Sequence, residues 1–257
     1  MKAFPKDIDV ANLKERHIGV ESELWVKTDS YQEVGHFEHR LKENWLLQSV
    51  GFDGGGREFR TNPIRIKSLL KQVTGRKYLT LYYAHLKNHT EVTESGGTHI
   101  HISILDGDHK NMESNAFALS TVFYEQFQKI AGRKTNWARK DGAGLKTIDD
   151  CKKYCDDRER EAGSRVYYMK GSMLGPTSHK TLEFRGPKGS NDVNEILAWV
   201  DFLNNVVKAA NHKSIDGVKF GDLVKTDVIA AYIKDLPRGR RLTKRDLNKT
   251  VNAGKLS

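Results

Sequence analysis

Between Ile18 and Val26 apolar and polar positions alternate. Ile18, Val20, Leu24 and Val26 fall on one side, and Gly19, Glu21, Glu23 and Trp25 on the other. A period of two marks a strand with one buried face, expected here over Lys14 to Lys27. The same alternation returns from Thr98 to Leu105, where Ile100, Ile102 and Ile104 oppose His99, His101 and Ser103. It returns again from Thr181 to Gly186, with Leu182 and Phe184 against Glu183 and Arg185, and more loosely from Arg57 to Thr61, where Glu58 and Arg60 flank Phe59. A further strand is expected over Arg165 to Lys170.

Helical spacing governs other stretches. Ile66 to His89 offers Leu69, Leu70, Val73, Leu79, Leu81, Tyr82 and Leu86 as core contacts, with Gly75 a weak point. Asn115 to Ile130 carries Phe117, Leu119, Val122, Phe123, Phe127 and Ile130, and Gly132 stands where a left-handed cap is often needed. Asn191 or Asp192 can cap a helix reaching about Ala210, with Ile196, Leu197, Trp199, Val200, Leu203, Val206 and Val207 inward. A short helix is expected near Thr226 to Ile233. Asp53 to Gly56, Gly96-Gly97 and Asp106 to Asp108 read as turns, and Pro63 as a stop to pairing. Lys140 to Gly163 reads as a long loop with a short helix. Strands come in groups rather than alternating with helices, which predicts an α+β fold with a mostly antiparallel sheet and helices on its apolar face.

Composition sets outer bounds. The chain has 257 residues, 37% apolar and 30% charged, as in a folded globular protein. No apolar stretch is long enough to span a bilayer, and Met1 to Val10 shows no signal segment, so the expected location is cytoplasmic. Cys151 and Cys155 would share one face of a helix, but a zinc site needs two more ligands, so two reduced thiols are expected. The net charge of +10 is uneven: from Lys234 onward there are eight bases and two acids. The expected organisation is a single domain over residues 1–233 and a basic tail over 234–257. That tail reads either as a solvated terminal face or as a contact for a polyanion such as nucleic acid.

The polar faces of the four strands carry the candidate chemistry. Taken singly, Glu-x-Glu reads as a solvated face, Glu-x-Arg as an ion pair, and His-x-His as a zinc site or an edge. Taken together they gather acids, histidines and arginines on one side of a sheet whose other side is apolar. A water-facing sheet has no need of that composition. Carboxylates with a histidine suit Mg²⁺ or Mn²⁺, and arginines beside them suit phosphate oxygens.

Five segments, taken in order, resemble the amidoligase family. Gly19-Val20-Glu21-Ser22-Glu23 resembles its G-x-E-x-E strand, and Asp53-Gly54-Gly55-Gly56-Arg57-Glu58-Phe59-Arg60-Thr61-Asn62-Pro63 its D-G-S…E-x-x-T-x-P stretch. Gly96-Gly97-Thr98-His99-Ile100-His101 is similar to G-x-H-x-H, Ile130 to Asn136 to the helix-end G-R-x-x-N, and Thr181 to Pro187 to T-x-E-F-R. The matches span roughly residues 18 to 205. Gly55 departs from the family's serine, and Met169 to Thr181 lacks an asparagine often found there.

The resemblance implies a fold similar to glutamine synthetase and to the guanidino kinase catalytic domain, a curved sheet with an open, funnel-like active face. It implies an ATP- and magnesium-dependent carboxylate–amine ligase acting through an acyl phosphate on small or peptide substrates. Glu21, Glu23, Glu58, His99 and Glu183 match the metal-ligand positions. Arg185 matches the arginine on the nucleotide phosphates and the transferred group. Arg60 and His101 lie toward the carboxylate substrate, Arg133 toward a phosphate or substrate anion, and Trp25 beside the nucleotide. Glu58, His101 and Arg185 are thereby candidate catalytic residues, and Arg185, Arg133, Arg60 and Trp25 candidate nucleotide-binding ones. Other readings stand beside this one: a ligase that modifies a nucleic-acid-linked substrate, a phosphotransferase of the guanidino kinase type, and a non-enzymatic nucleic-acid binder. The last leaves the four glutamates unexplained.

Overall fold

The computed structural model describes residues 15–27, 29, 32, 35–36, 39, 47–53, 56–71, 74–94, 96–132, 147–153, 174–176 and 181–252. Eight strands form one sheet: β1 His17–Val26, β2 Leu47–Asp53, β3 Gly56–Thr61, β4 Ile64–Arg65, β5 Thr90–Glu91, β6 Thr98–Ser103, β7 Leu174–Pro176 and β8 Thr181–Phe184. The order is β2-β3-β1-β6-β8-β7, and every pairing is antiparallel. β4 pairs with the start of β1 and β5 with its end. The helices are α1 Ile66–Leu70, α2 Thr74–His89, α3 Met112–Val122, α4 Tyr124–Ala131, α5 Val193–Ala210, α6 Phe220–Leu223, α7 Asp227–Lys234 and α8 Lys244–Asn248, with a 3₁₀ turn at Arg238–Arg240 and a helical turn at residues 148–153. The molecule is thus α+β with an open antiparallel sheet.

The alternation read from the sequence sorts the sheet into two faces. Ile18, Val20 and Leu24 of β1, Phe59 of β3, Ile100 and Ile102 of β6, and Leu182 and Phe184 of β8 are buried on one of them. Ser22 sits on this apolar face too, and its hydroxyl meets the Tyr83 hydroxyl of α2 at 2.6 Å, so neither buried oxygen is orphaned. Phe184 packs on Trp199 and Phe202 of α5 and on Phe127 of α4, with ring centroids 5.5, 5.9 and 5.8 Å away.

α5 is capped by Asp192, whose side chain accepts from Asn194 N. Its far side is also covered: Asp201 accepts from Thr226 Oγ1 and Ile229 N, and Asn205 donates to Leu223 O. The sheet, α5, and then α6 and α7 therefore stack in successive layers.

Several boundaries differ from the sequence reading. The helix expected over 66–89 is two, α1 and α2, broken after Leu70; Gly75 marks their close approach, since a Cβ there would meet Ser68 Oγ at 2.7 Å and Ile64 Cγ2 at 2.9 Å. Leu81 faces solvent at 56% exposure, and Val73 lies outside the described residues. The helix expected over 115–130 is α3 and α4, parted at Phe123. Regular pairing with β1 is interrupted at Asn62-Pro63, with a one-residue shift of register, and resumes in β4. The strand expected over 165–170 falls outside the described residues. Gly132 has φ 68°, the left-handed cap its position implied. No helix among the described residues is long and apolar enough to cross a membrane. Cys151 is buried, which pushes its thiol up to about 12 and leaves it unreactive; Cys155 lies outside the described residues.

Candidate metal and phosphate site

Register brings the polar faces of four adjacent strands into one row. Glu21 of β1 stands opposite Arg60 of β3 on one side and His99 of β6 on the other. Glu23 pairs with Glu58, and His101 with Glu183 of β8. Cross-strand partners in an antiparallel pair hold their Cβ atoms about 5 Å apart, so their side chains converge without help from a loop.

The innermost group is Glu21, His99 and Glu183, each of which can offer a ligand atom within 4.8 Å of the other two. His99 is the buried member, with its side chain 2% exposed. Its Nδ1 faces Glu21 Oε2 at 3.4 Å and Glu183 Oε1 at 3.5 Å. Its Nε2 faces Glu23 Oε1 at 3.5 Å. Glu23 is fixed from behind, because Gly97 N donates to its Oε2 at 2.6 Å. His101 Nε2 lies 3.2 Å from Glu21 Oε1 and 3.9 Å from Glu183 Oε1. Two arginines rest on the acids: Arg60 Nη2 donates to Glu58 Oε2 at 2.6 Å, and Arg185 Nη1 to Glu183 Oε1 at 2.5 Å.

Titration of these groups reflects the crowding. Burial and the neighbouring Glu21 push the Glu58 carboxyl up to about 7, with Arg60 opposing. Burial works against an ionised Glu21, yet contacts with His101 and His99 outweigh it and hold that carboxyl well below its usual range. Burial disfavours the charged form of His101, but Glu21 and Glu183 outweigh it and raise its pKa. Four carboxylates and two imidazoles stand close together here, with the Arg60 and Arg185 guanidinium groups beside them. The donor set, oxygen-rich with one buried imidazole, fits a hard divalent cation of the Mg²⁺ or Mn²⁺ kind.

Of the residues singled out from the sequence, Glu21, Glu23, Glu58, Arg60, His99, His101, Glu183 and Arg185 lie in this row. Trp25 lies at the β5 end of β1, 44% exposed and two positions beyond Glu23 on the same face by alternation. Arg133 lies outside the described residues. The backbone of Gly97 is the group that sequence reasoning missed. A Gly-Gly turn shows only that the chain bends, not that one of its N–H groups will hold a carboxylate from β1.

No known family profile matches the chain, and no curated protein matches it. Among solved structures, the chain is similar to one in the complex between the prokaryotic ubiquitin-like protein Pup and its ligase PafA. That likeness has 12% identity and a TM-score of 0.36, over 79% of this chain and 48% of the other. The chain thus matches about half the length of that one. At that TM-score the likeness bears no weight, and the function is read from the site.

Proposed function

We propose that the chain is an ATP- and magnesium-dependent carboxylate–amine ligase. The observation that carries this reading is the convergence of Glu21, His99 and Glu183 within 4.8 Å, with Arg60 and Arg185 resting on the same acids. The five motifs that resemble the amidoligases supply the reaction class.

In that reaction a carboxylate oxygen attacks the γ-phosphorus of ATP and the bond to ADP breaks. An amine then attacks the carbonyl carbon of the acyl phosphate, loses a proton and expels phosphate. Glu21, His99 and Glu183 would hold the cation, with Glu23 and Glu58 flanking them. When bound, the cation supplies charge neutralisation and Lewis acidity at the phosphates.

The chain's own part is positioning and fixed charge. Arg185 and Arg60 now neutralise Glu183 and Glu58. Each guanidinium would offer its fork of donors to a phosphoryl oxygen beside those acids. His101, between Glu21 and Glu183, would face the carboxylate substrate. The exposed ring of Trp25, on the same face, offers a surface for the nucleotide base.

The test is Glu183→Gln. ATP turnover with a panel of carboxylates and amines should fall on the order of a thousandfold, the scale set by losing several kcal/mol of transition-state stabilisation. Near-normal turnover contradicts the assignment. A stable phosphorylated product in place of an amide and free phosphate moves the protein to the phosphotransferases.

A further inference from the structure

The basic stretch from Lys234 onward is built into the domain through a small number of anchors. Leu236 and Val251 are buried in the core cluster. Arg240 lies across the C-terminal end of α4: its Nε donates to Lys129 O at 3.2 Å and its Nη2 to Ile130 O. Those carbonyls are the negative end of a helix and favour a cation. Gly132 supplies the left-handed cap, and a Cβ there would come within 2.7 Å of the Arg240 guanidinium and displace it. Asp246 accepts from Lys129 Nζ at 2.7 Å and Gln126 Nε2 at 3.1 Å, and closes the capping box of α8 with Thr243. Val251 O accepts from Gly217 N, and Val251 N donates to Val218 O.

Anchoring takes up Arg240 and the buried acid Asp246. Left exposed are five cations, Lys234, Arg238, Arg241, Lys244 and Arg245, against one exposed acid, Asp235. None of the five makes an ion pair among the described residues. The exposed large hydrophobics among those residues are Trp25, Leu81 and Val92, none of them in this segment. That absence discriminates between partners. A protein interface is centred on apolar or aromatic anchors, and a membrane-surface helix needs an apolar face to insert. A nucleic-acid backbone needs neither, since phosphates are held by charge and hydrogen-bond donors alone, and arginine forks match their oxygens.

We propose that segment 234–249 is a docking surface for the phosphate backbone of a nucleic acid. It is held in place before binding, so little ordering entropy opposes the contact. It is also tied to the candidate site: Gly132 bridges to Pro187, two residues beyond Arg185. Docking needs neither ATP nor a cation, so it stands or falls separately from the ligase reading.

The experiment is fluorescence anisotropy of the full chain with a labelled single-stranded DNA of about 16 nucleotides, the upper end of single-strand site sizes. Polyglutamate of matched charge is the competitor. DNA should bind at low salt. If about four phosphates are neutralised, a fourfold rise in salt should weaken binding on the order of fiftyfold. The variant R238E/K244E/R245E should lose at least tenfold in affinity with an unchanged melting temperature. The matched reversal K67E/K77E/K87E, on exposed lysines of α1 and α2, should bind within a few-fold of the unaltered chain. Any of four results overturns the proposal: no DNA binding at low salt, equal binding by the first variant, equal loss in the second, or displacement of DNA by polyglutamate at equal charge.

Discussion

Phe184 and Arg185 are neighbours in sequence and belong to opposite faces of the sheet. Phe184 is fully buried against Trp199, Phe202 and Phe127, while Arg185 leans on Glu183 in the polar row. Truncating them should therefore have unlike effects. Phe184→Ala should cost about 3–5 kcal/mol of stability through lost burial and a cavity. Arg185→Ala opens no aromatic cavity and should cost less, about 1–3 kcal/mol, as for a largely buried hydrogen bond to a charged group. Urea unfolding measures both, and equal costs would contradict the assignment of faces. The row itself was legible from the residues, because an alternating strand with one buried face has only one way to turn its charged side chains. The contacts inside the row were not. That His99 has Glu21 and Glu183 on one nitrogen and Glu23 on the other depends on register between β1 and β6, which no single strand reveals.

The elements that could be read were those with one clean period: β1, β6, β8 and α5. β7 is three residues, Leu-Gly-Pro, too short to carry an alternation, and β2 shifts register between Leu47 and Ser49, which breaks its own. In α3 every residue but Glu113 is buried, including Ser114, Asn115, Ser120 and Thr121, so no polar face marks where it stops. Asn115 is accepted there because its Nδ2 donates to Ala210 O and His212 O. The C-terminal segment hid behind its charge, since its attachment rests on Leu236, Arg240, Asp246 and Val251 among many exposed bases.

Asp246 gives that attachment a pH signature. Burial raises its pKa, but hydrogen bonds from Lys129, Thr243 and Gln126 outweigh it and hold the carboxyl below the ordinary range. A depressed folded pKa means the contribution is complete above about pH 4, the value of a free aspartate, and is lost as pH falls through the folded pKa. Asp246→Ala should destabilise the protein by about 1–3 kcal/mol at pH 7, the cost of leaving buried partners unmet. The gap from the unaltered chain should narrow in melts below pH 4. A gap that stays constant with pH would remove the ionised carboxylate from the account.

At the scale of the molecule, the antiparallel sheet divides the work. One face anchors α2, α4 and α5 through an aromatic core, and the other gathers acids, imidazoles and arginines that a folded protein does not crowd together for stability. Carboxylates crowded together in partial burial are costly, and a bound cation would lower that cost. The most direct measurement is a Mn²⁺ titration of the full chain at neutral pH, followed by calorimetry and by electron paramagnetic resonance. The unaltered protein should bind the ion and melt at a higher temperature with it, and Glu21→Gln, His99→Ala and Glu183→Gln should each weaken binding at least tenfold while remaining folded. Failure of the unaltered chain to bind Mn²⁺, or equal binding by all three variants, would contradict the site.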